Sequence, residues 1–267
     1  MRIETDNLNK RFGGVVALDN VSLDFPASMV TAIIGPNGAG KTTLFNVMAG
    51  FLKPDSGSVF LVSDNKDSAS TQPSMANSMT DVAGLAPHQI AGKGVGVLFQ
   101  DVRVFKKLSA IENVAAGVKN QRGEKPLASL FRPSWVRAQE KEVISKASEL
   151  LEYVGLADKG HLLAEQLSYG QQKLVAIARL LAGDAKVLLL DEPTSGVHPD
   201  MVDKLLDLIQ RLADNEGRVV VLIEHDLNVV KRVGDWVYLM ASGRVEVFGP
   251  PKDVLENMRL QEIFPTI

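Results

Sequence analysis

The chain has no cysteine among its 267 residues, which excludes a disulfide framework and any thiolate metal site. Long apolar runs are also missing. Stretches such as Val187-Leu188-Leu189-Leu190 and Val219-Val220-Val221-Leu222-Ile223 fall far short of the roughly 20 residues that span a bilayer. The opening residues, Met1-Arg2-Ile3-Glu4-Thr5-Asp6, lack the basic-then-apolar pattern of a signal peptide. A cytoplasmic location is therefore expected. An excess of positive charge is absent too: the net charge of −3 offers no footprint for nucleic acid, so no nucleic-acid partner is expected. Nor is there a repeat array. What is present is an ordinary globular composition, 45% hydrophobic and 23% charged, at a length suited to one large domain or one domain with a sizeable insertion. One region departs from the average. Between Asp101 and Lys146 there are ten Lys/Arg against five acids, which a solvated helical face explains. A surface lying near anionic lipid headgroups is the second reading.

The organising stretch is Gly35-Pro36-Asn37-Gly38-Ala39-Gly40-Lys41-Thr42-Thr43. The apolar run Met29–Ile34 leads into it, and Leu44, Phe45, Val47 and Met48 follow at helical spacing. Strand, glycine loop and helix form the context that a phosphate-binding loop requires. Glycines allow the backbone to turn its N–H groups inward with no Cβ in the way. The helix N-terminus adds a field that favours an anion. Lys41 is placed to reach the terminal phosphates, and the Thr42 hydroxyl to complete the shell of a Mg²⁺ ion otherwise held by water and phosphate oxygens. Chance alone would put this spacing in roughly one percent of chains of this length.

Strands are expected at Ile3–Leu8 and Val15–Phe25, with Gly13-Gly14 as the turn between them. Phe12, beside that turn, is the one aromatic placed to meet a base; an ordinary core position is its other reading. Pro54–Gly57 turns into a strand at Ser58–Val62. Ser63–Thr80 is rich in Ser and Asn and poor in aliphatics, and most of it is expected to be a mobile surface insertion, with a partner-binding role as the second reading. Gly94–Phe99 returns as a strand ending at Gln100. From Asp101 to Ala164 the pattern is helical, an inserted subdomain. Ser109 and Glu112 suit a capping box there. Pro133 opens a longer helix with Val143, Ile144, Ala147, Leu150, Leu151 and Val154 on one stripe. Alternation then resumes: a helix from Gly170, strand Lys186–Leu190, helix Asp200–Ala213, strand Arg218–Ile223 and helix Leu227–Val233. A hairpin, Trp236–Met240 and Arg244–Phe248, and a short helix at Asp253–Met258 complete an α/β fold with a mostly parallel sheet.

Asp191 and Glu192 close a buried strand at its C-terminal end, where parallel α/β sheets present ligands. Asp191 suits a Mg²⁺ partner, and Glu192 a base that orients and deprotonates an attacking water. His225 ends the next strand and could reach a γ-phosphate from the same sheet edge; a structural histidine is its alternative reading. Ser168, in Leu167-Ser168-Tyr169-Gly170-Gln171-Gln172, can cap the following helix while its hydroxyl and the free N–H groups face an anion.

Taken in order, Phe12, Gly35–Thr43, Gln100, Leu167–Gln172, Val187–Glu192, Ser195–Pro199 and His225 resemble the aromatic loop, Walker A, Q-loop, signature, Walker B, D-loop and H-loop of ABC transporter ATP-binding subunits. The resemblance covers essentially the whole chain as a single ABC ATPase domain. More finely, Pro87–Ala91, the segment Phe105–Val114, Tyr169–Gln172 and Ile223–Asp226 look like branched-chain amino acid import ATPases. The resemblance implies ATP with Mg²⁺, and a head-to-tail dimer of identical or homologous subunits. In that dimer each ATP lies between Walker A of one copy and Ser168, Gly170 and Gln171 of the other. It further implies Lys41, Glu192, His225 and Gln100 at the reacting phosphate, and Thr42, Asp191 and Gln100 at the metal. Membrane permease subunits would be the partners, contacted through a groove near Gln100 with Phe105 and Leu108 as candidates, and a solute-binding protein would act indirectly. The expected place is the inner face of the cell membrane. A lipid or lipopolysaccharide exporter shares every ATP motif, and an ABC ATPase acting on DNA or ribosomes is a further alternative. Three departures stand out. Tyr169 replaces the first signature glycine and would be strained if that position needs positive φ. His198 stands where the D-loop usually has Asp, and the Ser63–Thr80 insertion exceeds the usual pattern.

Overall fold

The computed structural model describes residues 1–63, 78–121 and 134–263. Strands β1 (Arg2–Phe12) and β2 (Val15–Phe25) pair antiparallel across a tight turn in which Gly13 has φ 57°. The first strand runs four residues past Leu8. Its register slips between Thr5 and Leu8, where Asn7 takes φ 48°, so a bulge carries the pairing on to Phe12 and Val15. Strand β3 (Met29–Ile34) leads to helix α1 (Lys41–Met48), and β4 (Ser56–Ser63) adds to the antiparallel layer. Strand β5 (Ser78–Asp81) pairs with β4, giving the order β2-β1-β4-β5. The ends of the stretch Ser63–Thr80 are strand: Ser63 pairs with Ser78, and Thr80 with Leu61, because β4 offers an edge of backbone donors and acceptors. Residues 64–77 lie outside the described residues.

Helix α2 (Pro87–Gly92) and strand β6 (Val95–Leu98) come next, and then the helical segments, α3 (Ala110–Ala115), α4 (Ser134–Tyr153) and α5 (Tyr169–Ala182). The remainder is β7 (Val187–Asp191), α6 (Pro199–Asp214), β8 (Val219–Ile223), α7 (Leu227–Val233), β9 (Trp236–Ala241), β10 (Arg244–Gly249), α8 (Pro251–Leu255) and α9 (Met258–Ile263). Two short helices thus replace the single one expected at Asp253–Met258. Asn257 divides them, its side chain accepting the Arg259 N–H at the start of the second. No helix among the described residues is long and apolar enough to cross a membrane.

The chain forms two compact units. The first comprises Met1–Val97, Lys186–Glu192 and Leu206–Ile267. Its second sheet has the order β10-β9-β3-β8-β7-β6, with β3 parallel to both β8 and β9, and β7 parallel to β8. The period-two alternation along β3 sends Ile33 to one core and Ala32 and Ile34 to another. On the first face Ile33, Leu189, Val221 and Ile223 pack with Leu44, Phe45 and Met48 of α1 and with Leu8, Leu18 and Phe25 of the antiparallel layer. On the other, Ala32, Ile34, Val237 and Leu239 pack with Val230 of α7 and with Val254 and Leu260. All five residues of β8 are buried, each such side chain stabilising the sheet by about 1.5–3 kcal/mol as an upper bound. The apolar runs read as strands are buried on both faces for this reason.

The second unit comprises Leu98–Ala185 and Pro193–Leu205. It is wider than the helical block expected at 101–164, because α5 packs against both α3 and α4. On α4, Val143, Ala147, Leu151 and Val154 are buried, spaced by four, four and three residues, whereas Ile144 is exposed. Ile144 therefore leaves the expected stripe, since one step along a helix turns a side chain by ~100°. Pro133 lies outside the described residues.

Candidate functional site

In the first unit the phosphate loop is held from several sides by backbone. Ala39 N–H donates to Pro36 O at 3.2 Å, and Gly243 N–H in the β9–β10 turn donates to Ala39 O at 3.1 Å. Two glycines cannot be replaced there. A Cβ on Gly35 would sit 2.2 Å from Met240 O, and one on Gly40, whose φ is 102°, would sit 2.3 Å from Ala17 O. Gly40 also caps α1, and the first helical bond runs from Leu44 N–H to Gly40 O. The N–H groups of Lys41, Thr42 and Thr43 begin the helix and have no acceptor within it. Asn37, Gly38 and Thr42 are exposed along this rim, while Pro36 and Thr43 are half-buried.

Lys41 is only 5% exposed. Its Nζ donates to Gly35 O at 2.6 Å and to Pro36 O at 3.0 Å, so the ammonium is satisfied by the loop that it serves. Burial pushes its pKa below the usual lysine value, while Glu192 and Asp191 pull it back up. Asp191, at the end of β7, moves the other way: burial and the neighbouring Glu192 raise its carboxyl above the ordinary carboxylate value, against the pull of Lys41 and His225. Lysine, two carboxylates and histidine thus share one electrostatic environment at the C-terminal edge of the sheet.

Glu192 has φ 45°, a left-handed backbone that costs a non-glycine residue on the order of 1–3 kcal/mol. Its N–H is fixed by Ile223 O at 3.0 Å, and its Oε1 lies 2.8 Å from His225 Nε2. The strain turns the carboxylate out of the strand direction and onto the histidine. His225 is itself set by its N–H donating to Glu224 Oε2 at 3.2 Å, with the Asp226 side chain capping α7 immediately after. The contact pairs His225 with Glu192 at the sheet edge. Among the described residues there is no cluster of three His, Cys, Asp or Glu that could hold a metal alone. The donors present, one half-buried carboxylate and one exposed hydroxyl, suit Mg²⁺, which keeps water and phosphate oxygens as its other ligands.

Phe12 is 50% exposed at the end of β1, so it is not a core residue. Lys10 Nζ lies 5.7 Å from its ring centroid and also pairs with Asp55 at 2.8 Å. Phe12 pairs with Val15, two residues before the Ala17 carbonyl that fills the space beside Gly40.

In the second unit Ser168 caps α5: its Oγ accepts Gln171 N–H at 3.3 Å, and Gln171 Oε1 accepts Ser168 N–H at 3.0 Å. Ser168 is exposed and Gln171 half-buried. Gly170 is buried where a Cβ would lie 3.0 Å from Val197. Tyr169 opens the helix and is absent from the positive-φ residues, so the anticipated strain does not occur. Gln100 is exposed, and its carbonyl accepts the Tyr169 hydroxyl at 2.8 Å. His198 is largely exposed, with Nδ1 3.4 Å from Asp200. Phe105 and Leu108 are exposed on a loop fastened by the fully buried Asn113, whose amide bonds the backbone of Phe105, Leu108 and Ser109. Sequence reasoning did not single out Asn113 or Lys173. Their signal is slight, a polar residue on an otherwise apolar helix face.

Many phosphate-loop ATPases would share the groups gathered in the first unit. What narrows the class is the run Leu167-Ser168-Tyr169-Gly170-Gln171 at the start of α5, with the capping Ser168 exposed: this is an ATP-binding cassette. The chain belongs to the ABC transporter family, whose profile matches residues 18–195, and it is an ATP-hydrolysing transporter subunit. It is 35% identical to the high-affinity branched-chain amino acid transport ATP-binding protein BraF of Pseudomonas aeruginosa, over 96% of this chain and 94% of that one. Identity to LivG of Escherichia coli K12, a protein of the same description, is 34% over 96% and 94%. Among solved structures, the ADP conformation of MJ1267, an ATP-binding cassette of an ABC transporter, superposes with TM-score 0.80 at 34% identity and covers all of both chains. The dimeric post-hydrolysis state of the cassette MJ0796, bound to ADP and Pi, matches with TM-score 0.71 at 27% identity over 93% and 98%.

Proposed function

We propose that this chain powers the import of branched-chain amino acids, working as a head-to-tail dimer on the inner face of a membrane beneath separate permease subunits that receive solute from a binding protein. The observation that carries the reading is the similarity to BraF and LivG, which extends over 96% of the chain. In the proposed cycle the loop Gly35–Thr43 and Lys41 cradle the phosphates of ATP, and Phe12 stacks on its base. Thr42 and Asp191, with Gln100, would hold Mg²⁺, which when bound offsets phosphate charge. Glu192 takes the proton of the attacking water, and His225, 2.8 Å away, fixes the carboxylate in place. A second copy supplies Ser168, Gly170 and Gln171 to the same nucleotide, because a capped helix N-terminus offers anion-binding donors. Hydrolysis then opens the dimer, and the exposed Phe105 and Leu108 pass the movement to permease loops.

The test is uptake of radiolabelled leucine into proteoliposomes holding this chain with the permease and binding protein encoded beside it. ATP-dependent uptake that vanishes with Glu192→Gln is expected. ATP-driven efflux of a lipid, with no leucine uptake, would overturn the import reading in favour of an exporter.

A further inference from the structure

Tyr169 and Lys173 sit one turn apart on α5, and their side chains meet: Lys173 Nζ is 5.1 Å from the centroid of the Tyr169 ring. Each also holds a piece of backbone from a different loop. The Tyr169 hydroxyl donates to Gln100 O at 2.8 Å. The Lys173 ammonium donates to Ser195 O at 2.8 Å. The adjoining Gly196 lies against the tyrosine, so that a Cβ there would come within 3.2 Å of Cε1. Lys173 is 0% exposed. Burying an ammonium is costly, and a methionine of the same reach would fill the space without that cost. The carbonyl of Ser195 is one partner that the charge gains in return. All of these residues belong to the second unit, and none supplies the phosphate loop or the carboxylates.

We propose that Tyr169 and Lys173 form a clasp that ties the loop at Gln100 and the loop at Ser195–Gly196 to the first turn of the signature helix, making both positioning residues for ATP turnover. A glycine at position 169 could make neither the hydroxyl bond nor the ring contacts. The tyrosine is therefore a gain of coupling rather than a tolerated departure. The kinetic part of this proposal rests on the reading that Ser168 serves ATP held by a second copy; the structural part does not.

Tyr169→Phe removes the hydroxyl alone, and Lys173→Met the charge alone. In the full chain Tyr169→Phe is expected to lower kcat about three- to tenfold, the value of one hydrogen bond, with KM for ATP within about twofold of the parent. Lys173→Met is expected to lower kcat by about ten- to hundredfold, as for a bond to a charged group, without lowering Tm. Amide hydrogen exchange in the nucleotide-free protein should quicken at 99–103 in the first variant and at 194–198 in the second. Lys173→Arg, which keeps a donor, should recover part of the lost turnover. Unchanged exchange in both loops overturns the clasp, and so does unchanged kcat in both variants while Ser168→Arg is impaired. A fall in Tm that accounts for the whole loss reduces Lys173 to packing and also overturns it. If Ser168→Arg turns over normally, the dimer reading has failed instead, and exchange alone judges the clasp.

Discussion

The two units treat an anion differently. In the first, the groups for a phosphate are drawn inward: Lys41 is buried against its own loop, Asp191 is half-buried and electrostatically strained, and Glu192 is held in a left-handed backbone against His225. In the second, Ser168 stands exposed at a helix N-terminus, with a capping glutamine instead of any acid or base beside it. On the proposed reading one unit cleaves and the other holds. A symmetric dimer, on that reading, brings the two together at each nucleotide without further machinery.

The sharpest way to test this division is to disable chemistry in one unit and holding in the other. Glu192→Gln should lower kcat by roughly 10²–10⁴-fold, the scale of general-base loss, with ATP still bound in a fluorescence titration. Turnover equal to the parent would remove Glu192 from the base role and erase the contrast. Ser168→Arg should lower kcat about a hundredfold, as for loss of a donor at developing negative charge, while the nucleotide affinity of the monomer stays within about twofold. A weaker monomer affinity would show that the signature serves its own chain.

The next effect is on stability. Gly40→Ala places a Cβ 2.3 Å from Ala17 O at φ 102° and should cost about 2–3 kcal/mol in chemical denaturation. The smallest effect is electrostatic. Because burial and Glu192 raise the Asp191 carboxyl above its ordinary value of 3.8, the charged form costs the folded state stability at neutral pH. That cost is relieved as pH falls through the raised value, and is gone below 3.8, where the group is protonated folded or unfolded. Asp191→Asn should therefore stabilise the nucleotide-free protein at pH 7, with the gain shrinking on acidification. A destabilised Asn variant would contradict the strained state of this carboxylate.

Much of this was legible in the chain itself. Met29–Ile34, Val187–Asp191 and Val219–Ile223 carry enough β-branched and aliphatic residues to announce buried strands, and the spacing Gly35 to Thr43 announces the loop between strand and helix. Both capping boxes, Ser109 with Glu112 and Ser168 with Gln171, close as local chemistry requires. What stayed hidden depends on distant partners. Ser78–Asp81 has little strand character and is a strand because β4 presents an edge. Ile144 follows the apolar pattern but faces outward, as the packing of α4 decides. The left-handed backbone of Glu192 could not be seen, since no glycine or asparagine marks it; Ile223 O and His225 hold it there. The meaning of Tyr169 was hidden for the same reason, its partner Gln100 lying 69 residues away.

The most direct measurement mixes two inactive chains, one carrying Glu192→Gln and the other Ser168→Arg, and follows phosphate release against each alone. In a head-to-tail pair, the Ser168→Arg copy brings an intact cleaving half to the intact signature of the Glu192→Gln copy. Random pairing makes half of the dimers mixed, each with one good site of two, so turnover should recover to about a quarter of the parent. A mixture that forms dimers with ATP yet stays as inactive as its components would contradict a site shared between copies.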